Sequence, residues 1–184
     1  MSRLASTLSR IDAANSGDPH RVTVDGIDHP AEQLYGERMS AMLDTYVPEA
    51  SELLTIAARA QHIMRWKVPR TSYPEGRAGY HRWRNELKRL HGTWTAEIMQ
   101  ANGYPSGDAE RVAALIRKEN LKSDAEAQAL EDTACLVFLR HYAEDFVLRH
   151  ERAKCLDIVR KTWAKMSDNG RAAALRLDLS VRVA

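Results

Sequence analysis

The chain has 184 residues, 44% hydrophobic and 28% charged, with a net charge of +2. That length is enough for one domain with its own core, and the composition excludes wholesale disorder. The charge is too small for an indiscriminate polyanion binder, two cysteines make no disulfide framework, and no apolar run approaches the roughly 20 residues needed to span a bilayer.

Apolar positions recur at helical spacing almost throughout, so the fold class expected is all-α, a single helical bundle domain over residues 1–184. The opening Met1 to Leu8 lacks the long apolar core of a secretory leader, which points to a cytoplasmic, reducing setting. A first helix is expected from Ser2 to Asn15, with Leu4, Leu8 and Ile11 on one face, stopped by Asn15-Ser16-Gly17-Asp18-Pro19. Strict alternation occurs only at Arg21 to Val24, and a loop through Gly26 follows. Pro30 suits the first turn of a second helix carrying Leu34, Tyr35, Met39, Met42 and Tyr46.

A third helix starts at Pro48, uses Leu53, Leu54, Ala57, Ala60 and Met64, and gives way near Trp66 to a stiff loop with Pro69 and Pro74. The fourth, Arg77 to Asn102, is expected to bury Tyr80, Trp83, Leu87, Leu90 and Trp94, with Gly103 as its C-terminal cap. A shorter helix opens near Ser106. Ser123 and Glu126 read as a capping box for a helix reaching His150. A last helix carries Leu156, Val159, Trp163 and Met166 and stops around Asn169-Gly170. Cys135 and Cys155 fall in apolar periodic stretches and are expected to be packed thiols.

One residue round from the apolar stripe of the fourth helix lie Arg77, His81, Arg84, Lys88 and His91, a face made only of basic and imidazole groups. Like charges on successive turns repel, so a negative ligand is expected to offset them. Just before it come Arg59, Arg65, Lys67 and Arg70 among Trp66 and Tyr73. Guanidinium forks suit phosphate oxygens and aromatic rings suit a base, so Arg65, Arg70, Arg84 and Lys88 are candidate phosphate clamps and Trp66 or Tyr73 a stacking platform. A nucleotide or phosphorylated metabolite fits this pattern, and an RNA backbone is admitted by it. His91 and Glu119 are candidates for moving a proton.

His29, His62, His91 and Asp132 occur in an order that resembles the HD-domain phosphohydrolases, helical enzymes in which histidines and a closing aspartate hold metal. The resemblance implies His29, His62 and Asp132 as ligands to one divalent ion, manganese, zinc, iron or magnesium. It departs where Ile63 replaces the aspartate that follows the paired histidine.

A resemblance covering nearly the whole chain rests on Gln61-His62-Ile63-Met64-Arg65-Trp66, Tyr80-His81-Arg82-Trp83-Arg84, Leu130-Glu131-Asp132 and Lys161-Thr162-Trp163-Ala164-Lys165-Met166-Ser167. It is to an uncharacterised domain-of-unknown-function family, number 4202, some members of which carry a glutamyl-tRNA synthetase label. The chain is too short for that enzyme and lacks its nucleotide-binding fold. The function these features imply is a metal-dependent hydrolase of a phosphorylated metabolite or nucleotide. The alternative is a non-catalytic binding protein for a nucleotide, a phosphorylated effector or tRNA. A Gly-rich phosphate loop, a Cys-Xaa-Xaa-Cys motif and a nucleophile elbow are all missing, which disfavours those chemistries.

Overall fold

The computed structural model describes residues 2–177. Helix α1 runs Arg3–Asn15, with the Ser2 hydroxyl accepting from the Ala5 N–H as its N-cap. Strands β1, Arg21–Val24, and β2, Ile27–Pro30, form an antiparallel hairpin with Val22 opposite His29. Its two-residue turn is Asp25-Gly26, both at positive φ, the hairpin geometry that Asp-Gly adopts readily. The alternation at Arg21 to Val24 is thus one arm of a hairpin whose second arm the chain pattern alone had left as loop.

Helix α2, Ala31–Tyr46, follows directly, and α3 occupies Glu52–Arg59. The expected continuation of α3 to Trp66 does not form. The chain turns after Arg59 and passes through left-handed backbone at Met64, φ 49°, into two short 3-10 turns, Arg65–Lys67 and Arg70–Ser72. Next come α4, Gly76–Ala101, and α5, Ser106–Arg117.

Helix α6, Ala125–His141, is capped by Asp124, not Ser123, because the Asp124 carboxylate accepts from the Glu126 and Ala127 N–H groups. It stops short of His150 where Tyr142 leaves helical backbone, and α7, Ala143–Arg149, starts afresh. Helix α8 is Arg152–Lys165. Ser167 caps α9, Asp168–Ala174, so Asn169 and Gly170 begin a helix instead of ending one.

One hydrophobic cluster links these helices, with Ile11, Met39, Leu43, Ile56, Ile63, Met99, Leu115 and Leu130 wholly buried. Helix α8 sits outside it: Leu156, Val159 and Trp163 are 46, 41 and 38% exposed, and only Cys155 of that helix is buried. Both cysteines are free and buried. No helix among the described residues is long and apolar enough to cross a membrane.

Two buried side chains fix where the polar groups gather. Asp18 accepts from the Glu32 N–H at the start of α2, and Asn15 accepts from the Met64 N–H while donating to the Glu32 carbonyl. The end of α1, the first turn of α2 and the turn after α3 are thereby tied together.

Candidate functional site

At that junction the helices leave a cavity of about 440 Å3. Glu32 and Tyr35 enter it from the first turn of α2, His62 and Arg65 from the turn after α3, and Arg84 from α4. Lys118 comes from the end of α5, where left-handed backbone at φ 61° turns its side chain inward. Glu131 and Tyr142 complete the wall from α6 and its end, and Thr162 and Lys165 close it from α8.

His62 lies flat on Tyr35, ring centroids 4.0 Å apart and planes within 10°, and its Nδ1 is 3.3 Å from Glu32 Oε2. Burial drives the imidazole well below its ordinary pKa, and the Arg65, Arg84 and Lys118 charges add to the effect, so His62 is neutral. Burial pushes Glu32 the other way, up to about 7, against the opposing pull of Arg65. Burial also acts to raise Glu131, but Lys118 and Lys165 overcome it and hold the carboxyl below its usual range.

Four cations, Arg65, Arg84, Lys118 and Lys165, therefore face one fully ionised carboxylate and one close to half titration at neutral pH. Glu131 occupies the two lysines, and Arg65 stands 3.8 Å from Glu32. Arg84 has no ion-pair or hydrogen-bond partner among the described residues, and it faces the cavity. The cavity therefore carries an excess of positive charge.

Of the residues singled out from the sequence, His62, Arg65 and Arg84 meet in this cavity, and Lys88 and His91 line a smaller chamber behind it. The basic face of α4 descends from exposed Arg77 and His81 through half-buried Arg84 and Lys88 to buried His91. Tyr80, expected inside, is 45% exposed, and His91 takes a place in the interior.

Of the proposed clamps and stackers, Arg70, Trp66 and Tyr73 stand outside the cavity, as does the neighbouring Arg59. Arg59 makes a paired hydrogen bond with Asp12 at 2.6 and 2.7 Å, and Arg70 donates to the Tyr73 carbonyl at 2.9 Å, closing its own loop. Trp66 packs toward Gly17, and neither it nor Tyr73 lines the cavity; Tyr35 and Tyr142 supply its aromatic surface. Glu119 lies past the reversal at Lys118, half exposed and bonded to Arg117.

The three implied metal ligands are not gathered. His29 sits on β2 opposite Val22, which lines the cavity while His29 does not. Asp132 faces the other side of α6 from Glu131, and both of its oxygens are fully engaged. Oδ1 accepts from Gln128 Nε2 at 3.0 Å and from the Ser167 N–H at 2.9 Å, and Oδ2 accepts from the Tyr46 hydroxyl at 2.9 Å and from the Ser167 hydroxyl. A carboxylate with four donors has no lone pair left for an ion, and among the described residues no three His, Cys, Asp or Glu side chains come together as a metal would require. A larger groove of about 920 Å3 runs beside Asp132, but its one buried carboxylate is this engaged one and much of its wall is Met42, Ala129, Ala172 and Ala173.

Glu32, Tyr35, Lys118, Glu131 and Lys165 were not predicted as site residues. The adjacent pair Glu131-Asp132 is instructive, since the aspartate matched a motif and the glutamate reached the cavity. A family model described as Domain of unknown function (DUF4202) matches residues 5–184. No curated protein and no solved structure matches the chain.

Proposed function

The chain belongs to the DUF4202 family, whose description leaves activity open, and from the site itself we propose that this protein binds a phosphorylated small molecule of about nucleotide size without a metal ion. The observation that supports it is Arg84, a guanidinium with no ion-pair or hydrogen-bond partner among the described residues, lining a concave cavity where cations outnumber carboxylates. A dianionic phosphate placed between Arg84, Arg65 and Lys118 would restore the balance through charge-assisted hydrogen bonds, while the Tyr35–His62 stack and Tyr142 offer flat surface to the rest of the ligand. A volume of about 440 Å3 is in the range of small-molecule pockets and holds one nucleotide, not a length of RNA backbone.

The test is a thermal-shift and calorimetric screen in chelator, using inorganic phosphate, nucleoside monophosphates and phosphorylated sugars. A ligand at one hundred times its Kd stabilises the folded state by about 2.7 kcal/mol, which a melt resolves readily. Arg84→Met is expected to weaken binding at least about tenfold while leaving the unliganded melting temperature unchanged or raised. If no phosphate compound shifts the melt at millimolar concentration, or if binding appears only when a divalent metal is added, the reading is wrong.

A further inference from the structure

Behind His62 the cavity leads to a second chamber of about 20 Å3, walled by Gln61, His62, Leu87, His91 and Ile116. Gln61, His62, Arg65, Arg84 and Lys118 line both spaces, with Lys88 on the inner side alone. Two buried side-chain atoms of its lining, Gln61 Oε1 and His91 Nε2, in residues only 6 and 3% exposed, have no hydrogen-bond partner among the described residues. In the tautomer that carries its proton on Nδ1, His91 presents a bare lone pair at Nε2. Buried acceptors left unpaired are costly, and a chamber of this volume has room for one water.

One water satisfies all of these conditions. Its two hydrogens match the two orphaned atoms, and its oxygen lone pairs are left free for a group anchored at Arg65, Arg84 and Lys118, which line the same chamber. We propose that this water is held between Gln61 Oε1 and His91 Nε2 and is the nucleophile that hydrolyses a phosphate ester anchored at Arg65, Arg84 and Lys118. The inference rests on the phosphate-binding reading above and adds a reaction to it.

In the step, the water oxygen forms a bond to phosphorus as the bond from phosphorus to the ester oxygen breaks. The water's proton passes to His91 Nε2, and the departing alkoxide takes a proton from the Glu32 carboxyl. Inorganic phosphate and an alcohol result, and solvent exchange returns both residues to their starting protonation. Glu32 lines only the outer cavity and His91 only the inner chamber, so the proposed acid and base approach the anchored phosphate from different spaces. Burial holds His91 well below its ordinary pKa, and the Arg65 charge acts in the same direction. Arg84 on its own helix opposes its protonation as well, and Lys88 and Lys118, the latter just past the end of α5, line the same chamber, which favours prompt release of the proton once phosphate has left.

The experiment uses the full chain in chelator with p-nitrophenyl phosphate and nucleoside monophosphates in 18O-labelled water. Release of phosphate carrying the solvent label is expected. His91→Asn is expected to cut kcat at least about a hundredfold while the Kd for inorganic phosphate stays within about threefold. Gln61→Met, which removes the other acceptor and keeps the bulk, is expected to cut kcat about tenfold, and covers the case in which His91→Asn does not fold. Phosphate binding with no turnover of any of these compounds overturns the hydrolytic step and leaves the binding reading standing, as does label appearing in the alcohol. Absence of phosphate binding overturns both, and turnover that is unchanged in Gln61→Met and in folded His91→Asn removes the water from this chamber.

Discussion

Asp132 separates a structural from a ligating role most sharply. Its carboxylate joins α2 through Tyr46, α6 through Gln128 and the start of α9 through Ser167. In Asp132→Ala the Tyr46 and Ser167 hydroxyls can turn elsewhere and Gln128 keeps the Lys165 carbonyl, but the Ser167 N–H is stranded. A stranded buried donor costs about 1–3 kcal/mol and a lost charge-assisted bond about 1.5–3, so the total is about 4 kcal/mol. For a chain of this length that lowers Tm by roughly 10 °C. Asp132→Asn is far milder, because Oδ1 keeps its two donors and the amide can donate to the two hydroxyls, which reverse direction. A loss of about 1–2 kcal/mol is expected from the missing charge alone. Calorimetric melts of both variants at pH 7.5, with phosphate titrations on each, read the difference. Equal destabilisation by Asn and Ala, or abolition of phosphate binding by Asp132→Asn in a folded protein, would refute the structural role.

Two further outcomes follow from the same packing and electrostatics. A Cβ on Gly170 would stand 2.6 Å from the Asp132 carboxyl group, so Gly170→Ala is expected to cost about 1–3 kcal/mol, whereas Gly107→Ala, with nothing within 4 Å, should be neutral or better; a Gly170→Ala melt at or above wild type contradicts this. Glu32 rises from 4.5 to about 7 on folding, a difference of about 3 kcal/mol between protonation states. Since the folded value is the higher one, the penalty is absent below about pH 4.5 and complete above about pH 7. Glu32→Gln should match wild type near pH 4.5 and melt about 6 °C or more above it at pH 8, and a gap that does not change with pH refutes the assignment.

Helical periodicity carries most of the fold, because a buried face recurs at a period the chain displays directly. What escapes it depends on backbone conformation at single residues. The third helix stops at Arg59 and the turn after it passes through positive φ at Met64, Lys118 at positive φ turns inward, and Asp25-Gly26 folds the hairpin. The basic stripe of α4 was legible as a stripe, yet spacing says nothing of depth, and only packing against α5 sets His91 in the interior while Arg77 stays in water. Neighbouring helical residues diverge by about 100°, so Glu131 and Asp132 face different spaces, and no motif could say which would meet His62. The order of histidines along the chain suggested a shared centre, but His29 is spent on a hairpin and Asp132 on three hydroxyl and amide partners and a main-chain N–H.

The cavity wall draws on α2, the turn after α3, α4, the end of α5, α6 and α8, from Val22 to Lys165. During synthesis the two residues that close it, Thr162 and Lys165, are the last of its lining to be made, so a nascent or truncated chain has no complete receptor to offer. Until Lys118 and Lys165 both reach Glu131, that carboxylate is an uncompensated charge in a forming interior. On the binding proposed above, ligand capture would report that the whole polypeptide has finished folding, and the ligand would stabilise the completed chain, with a protective effect against proteolysis that scales with ligand concentration.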